Sequence, residues 1–112
     1  MKQTQLIKGI LEGCVLALIA DRDMYGYELI QALHRNGFES IVGGTIYPLL
    51  VKLEKNGDLS SQVRPSLDGP DRKYYTLTAQ GQQTLHTFNQ DWHDLNQHVE
   101  TILKQVMTYE SD

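Results

Sequence analysis

Along the first part of the chain, Leu6, Ile7, Ile10, Leu11, Cys14, Val15, Leu18 and Ile19 recur at helical spacing and cover a broad stripe. A stripe that wide predicts a helix buried on more than one side. Asp21-Arg22-Asp23 interrupts it, and Asp23 is expected to cap a second helix running from about Tyr25 to His34, with Leu29, Ile30 and Leu33 turned inward. Asn36-Gly37 stops that helix. After Gly43-Gly44, a third helix is expected to open on Thr45-Ile46-Tyr47-Pro48 and to run through Leu49, Leu50 and Leu53 to Lys55. Pro48 is placed in its first turn, where the amide that proline lacks has no partner to lose. Asn56-Gly57 ends the third helix as Asn36-Gly37 ends the second. Leu59 to Arg64 reads as a strand, Pro65 to Asp71 is dense in turn residues, and Arg72 to Leu77 returns to a β-rich run, so a hairpin is predicted. Tyr74 and Tyr75 then point to opposite faces, one of them into the core.

The last segment opens on Thr78 as N-cap and is helical to about Met107. Leu85, Phe88, Trp92, Leu95, Val99, Ile102 and Val106 step alternately by three and four, a heptad seam. A helix of ~30 residues is about 45 Å long, longer than the small domain before it, so much of it projects. A seam on such a helix calls for a second helix, and a second copy of the chain is the expected partner. The plainer alternative is an amphipathic helix packed only on its own domain.

The fold class expected is α+β and predominantly helical, a winged helix-turn-helix with a long C-terminal dimerisation helix. It divides into residues 1–77, with the winged module itself starting near residue 5, and residues 78–112. At 112 residues the chain suits one modest core. With 40% hydrophobic and 21% charged residues it is globular, not disordered. No run is long enough to span a membrane and no leader pattern precedes it, which suggests a cytoplasmic protein with no membrane partner. The lone Cys14 sits among apolar neighbours and is expected to be a buried structural thiol. A net charge of −4 looks unsuited to a polyanion, but it is unevenly spread. From Gly43 to Tyr75 five basic residues stand against four acidic ones, whereas from Thr78 onward Lys104 alone faces Asp91, Asp94, Glu100, Glu110 and Asp112.

Helix, helix, turn, helix and hairpin is the order of a module that lays its third helix in the major groove of duplex DNA while the hairpin reaches the flanking backbone. Thr45 and Tyr47 bring hydroxyls to the start of that helix, Pro48 an apolar face, and Lys52 and Lys55 charges for phosphates. Arg72 and Lys73 stand where the hairpin loop re-enters its second strand. Each has a plainer reading: Tyr47 as a core aromatic, Lys52 and Lys55 as a solvated helix face.

The words Tyr25-Gly26-Tyr27-Glu28-Leu29, Gly44-Thr45-Ile46-Tyr47-Pro48-Leu49-Leu50, Lys52-Leu53-Glu54-Lys55-Asn56-Gly57 and Gly69-Pro70-Asp71-Arg72-Lys73-Tyr74-Tyr75-Thr76-Leu77-Thr78, with Gly81 and Trp92, occur in this order. Together they cover roughly Ile7 to Leu103, and the chain resembles the PadR family of bacterial transcriptional regulators, in particular its short-tailed members. The resemblance implies a homodimeric repressor on an inverted-repeat operator, often controlling a neighbouring efflux or detoxification gene. It puts DNA contacts on Thr45, Tyr47, Pro48, Lys52 and Lys55 of the third helix and on Arg72 and Lys73 of the wing. Val51 departs from it, standing where many relatives have a basic residue. Some short-tailed members that control multidrug transporters hold flat aromatic compounds between their subunits on a Trp of the last helix. Trp92 matches that position, with Phe88, Leu95, Leu11 and Val15 as candidate neighbours of such an effector. Packing on the seam is the alternative role for Trp92.

Other chemistry is set aside. His86, His93 and His98 lack the i, i+4 spacing of a helical metal pair, Gly43-Gly44 lacks the Lys-Ser/Thr ending of a phosphate loop, and no nucleophile motif is present. No cofactor, no metal and no enzymatic activity are expected. Two further readings stay open: a winged-helix protein-interaction module that never meets DNA, and a small-molecule carrier built around Trp92.

Overall fold

The computed structural model describes the backbone of residue 7 and residues 9–111, and side chains as far as residue 107. The expected start of the first helix at Leu6, and of the winged module near residue 5, lies outside the described residues. Among the described residues seven elements follow one another: α1 (Leu11–Asp21), β1 (Met24–Tyr25), α2 (Gly26–Arg35), α3 (Gly43–Lys55), β2 (Leu59–Ser66), β3 (Gly69–Leu77) and α4 (Ala79–Ser111). The first helix does not run unbroken from Ile7. Gly9 and Ile10 form a turn and α1 begins at Leu11, in keeping with the cost of about 1 kcal/mol that glycine carries inside a helix. Ile7 is nevertheless buried.

Leu16, Leu29, Leu33, Ile46, Leu50 and Leu53, with Val15, are the fully buried heart of the core, drawn from α1, α2 and α3. Both Asn-Gly stops take one form. Gly37 and Gly57 adopt φ of +98° and +89°, values open to glycine at little cost. The next amides, of Phe38 and Asp58, reach back to the carbonyls of Leu33 and Leu53 at 2.9 and 3.0 Å, the paired-bond ending that glycine permits. The turn from α2 to α3 is held by His34, whose Nε2 donates to the Ile41 carbonyl at 2.7 Å. Cys14 is half-buried, and burial pushes its thiol pKa up, which disfavours the reactive thiolate.

Several boundaries differ from expectation. The second helix is capped from within, by Glu28 accepting from the Tyr25 amide at 3.3 Å. Asp23 is not the cap; its carboxylate is taken by Arg64 of β2 at 2.7 Å. α3 begins two residues earlier than Thr45, so Pro48 stands in its second turn and the amide it lacks would have served the exposed Gly44. The strands extend into the expected loop, leaving Leu67–Asp68 as the turn, with a register shift between Arg64 and Ser66. Pro65 lies in that shift, where a residue without an amide proton is accommodated. Met24 and Tyr25 form an unforeseen third strand, pairing antiparallel with Tyr75 and Tyr74 to give the sheet order β1-β3-β2.

α4 is welded to the end of α3. Thr78 accepts from the Gly81 amide at 2.9 Å and donates to the Gly57 carbonyl at 2.6 Å. Asp58, only 6% exposed, accepts from Thr84 at 2.7 Å and Gln80 at 3.1 Å. Gly81 lies so close under the Asp58 carbonyl that no side chain fits there. Phe88 packs in the same way over Gly13 of α1. From Glu100 to Met107 every helix residue is exposed, and the molecule reaches 62 Å in its longest dimension. It continues to Ser111, past the expected end at Met107.

Candidate nucleic-acid interface and apolar groove

α3 buries Ile46, Leu50 and Leu53 against the core and therefore turns Thr45, Pro48, Val51, Lys52 and Lys55 outward. Tyr47 lies on the flank. Its ring is laid across Gly26 and Gly43, with no room for a side chain at Gly26 beneath it, and still leaves the residue 51% exposed. The core-aromatic reading of Tyr47 thus holds for one face of the ring only. Lys52 is engaged, its Nζ 2.6 Å from Glu12 at the start of α1. An exposed pair of this kind is worth about 0.2–1 kcal/mol, so a phosphate can compete for the same ammonium.

The structure separates the two wing cations. Adjacent strand residues face opposite ways, and Lys73 lies on the side of α3, 3.1 Å from Glu54. Glu54 accepts from the Ser61 hydroxyl as well. The Ser61 hydrogen bond first, then Lys73, holds the Glu54 carboxyl below its usual value, and Glu54 raises that of Lys73. Arg72 is on the other face, its guanidinium 4.6 Å over the Tyr25 ring. Arg64, its register partner across the hairpin, sits 4.6 Å over Tyr74. The two rings meet edge to face at 5.3 Å. Asp23 is held below its ordinary pKa chiefly by its hydrogen bond from Arg64. Tyr75 is the tyrosine that enters the core.

Arg64, Glu12 and Glu54 were not legible as site residues. The alternation of β2 puts Arg64 and Gln62 on one face, which hints at Arg64, but its partner Asp23 is remote in sequence.

Trp92 and Leu95, with Asn96 and Val99 of α4, line one side of a groove of about 500 Å³; Ile7, Gly9, Ile10 and Phe38 line the other. Phe88, expected beside them, is instead on Gly13. Leu11 and Val15 are buried in the core and do not reach the groove, since successive helical residues diverge by about 100°. Of the expected seam, Leu85 and Phe88 are partly covered by the chain's own domain, while Trp92, Leu95, Val99, Ile102 and Val106 stay exposed. Among the described residues no helix is long and apolar enough to cross a membrane.

Three helices, a hairpin beside the third and a long trailing helix define a winged-helix regulator. Residues 15–87 match the Transcriptional regulator PadR-like family. A Streptococcus transcriptional regulator of solved structure is 56% identical, covering 89% of this chain and 98% of its own, with a TM-score of 0.80. A PadR-like transcriptional regulator from Bacillus cereus is 39% identical over 88% and 96%, with a TM-score of 0.81. A transcriptional regulator of Mycobacterium tuberculosis is 38% identical over 71 residues, covering 63% of this chain and 64% of its own. The chain belongs to the PadR-like family of transcriptional regulators, and the family is one of regulators, not enzymes.

Proposed function

We propose that the protein is a sequence-specific DNA-binding repressor of the short-tailed PadR type. Residues 1–77 form the reading module, and residues 78–112 join two copies on an inverted-repeat operator. The observation that carries this reading is α3, which presents Thr45, Pro48, Lys52 and Lys55 to solvent, flanked by Tyr47 and by a hairpin with two guanidiniums on one face. A near-neutral module can bind DNA because few phosphate contacts are needed when bases supply selectivity. The exposed apolar half of α4 supports the homodimer, and the groove beside Trp92, apolar and open, suits a flat aromatic effector whose binding releases DNA.

The test is a titration of the purified protein against its own upstream DNA and against random duplex at ~0.1 M salt. Preference for the upstream DNA, with an affinity that falls as salt rises, is the expected result. Equal binding to both sinks the reading, and a stable protein partner recovered alongside would favour an interaction module instead. Trp92 is the sole tryptophan, so its emission reports occupancy of the groove directly. Flat aromatic cations that change it should also release operator.

A further inference from the structure

α3 contains no Arg, Asn or Gln, the side chains whose paired donors and acceptors read guanine and adenine edges in the major groove. Its two exposed cations are ammonium groups, which can meet phosphates as point charges or the guanine edge, and one of them, Lys52, is already held by Glu12. Beyond guanine, selectivity falls to the hydroxyls of Thr45 and Tyr47 and to what lies between them and the lysines. That is Pro48 and Val51, apolar, outward and on one face at i, i+3. Val51 is 56% exposed although Leu50 beside it is fully buried. An apolar side chain in the middle of a groove-facing surface has one complementary feature among the base edges, the C5 methyl of thymine. Three residues advance about 4.5 Å along a helix, close to the roughly 3.4 Å between stacked bases, so Pro48 and Val51 are spaced to reach neighbouring base-pair steps.

We propose that Val51, with Pro48, selects thymine at neighbouring positions of each operator half-site through the thymine methyl. The inference rests on the DNA-binding reading above, and its test separates the two. Duplexes that bind the intact protein are selected from a random pool, and each thymine of the winning sequence is then replaced singly by deoxyuridine, which lacks only the methyl. Affinity should fall about fourfold at the thymine under Val51, the worth of one buried CH₂ group. Val51→Ala should lose that sensitivity while keeping the wild-type salt dependence, and Val51→Ile should keep it. Selection of a sequence whose thymines all tolerate deoxyuridine overturns the inference and leaves the DNA-binding reading standing. The same holds if Val51→Ala remains as sensitive as wild type. Failure to enrich any sequence overturns both.

Discussion

Ile102 is the sharpest probe of the proposed dimer. It stands on the exposed half of the α4 seam, 62% accessible in a single chain, so Ile102→Ala should cost a lone protomer little. Full burial of an isoleucine is worth about 1.5–3 kcal/mol, and at this exposure about 1–2 kcal/mol of that remains to be gained when a second helix closes over it. A two-fold interface uses the same position twice. The substitution should therefore remove about 2–4 kcal/mol from association, raising the dimer Kd about 30- to 1,000-fold. Gln97→Ala, on the opposite side of the same helix, is the control and should change it by no more than about twofold. Sedimentation equilibrium across a concentration series measures both. The reasoning fails if the wild-type chain is monomeric throughout, or if Ile102→Ala and Gln97→Ala dissociate at the same concentration. A shift of the predicted size would also bear on the neighbouring seam residues, since Leu95, Val99 and Val106 are 55%, 46% and 50% exposed and belong to the same stripe.

Glu12→Gln should release Lys52 and raise affinity for every duplex alike by up to about fivefold, the range of an exposed ion pair; a fluorescence-anisotropy series in which cognate and random DNA respond differently would contradict it. Asp58→Ala removes the acceptor that ties Thr84 and Gln80 to the end of α3, and chemical denaturation should register a loss of about 3–6 kcal/mol, given that hydrogen bonds to a charged group contribute about 1.5–3 kcal/mol each. No loss would mean that solvent replaces both bonds. Glu54 has a depressed pKa, so its contribution is present above the ordinary carboxylate value near ~4 and is lost as pH falls through the lower folded value. The stability gap between wild type and Glu54→Gln should accordingly be constant across neutral pH and close in acid. A gap that persists in strong acid would refute the assignment.

What could be read along the chain, and what could not, divides by the range of the interaction. The Asn-Gly stops at Gly37 and Gly57, the Thr78 cap and the heptad spacing of α4 are each encoded within a few residues, because helix periodicity and capping depend only on near neighbours. The family words told the same story, and residues 15–87 carry them. The start of α3 at Gly43 was missed because two glycines argue against a helix locally, and only the burial of Ile46 and Leu50 outweighs that cost. β1 is two residues long and has no period of its own; it exists because β3 offers Met24 and Tyr25 an edge at Tyr75 and Tyr74.

The same limit shaped the reading of the site. Glu12 with Lys52, Asp23 with Arg64, and Gly13 with Phe88 are partners separated by dozens of residues, and each alters the role of a residue that looked independent. For Lys52 to meet a phosphate, as proposed, it must first leave Glu12. Arg72 and Lys73, adjacent in sequence, serve opposite faces of the wing: Lys73 braces the hairpin against α3 through Glu54, and Arg72 shares the outer face with Arg64 over the tyrosine pair. If the wing meets the DNA backbone with its guanidinium face, Arg72→Ala should weaken binding to all sequences and lower the salt slope by about one. Lys73→Ala should instead loosen the hairpin and leave that slope unchanged. Equal slopes for Arg72→Ala and Lys73→Ala would show that the face on which a wing cation sits does not decide its role.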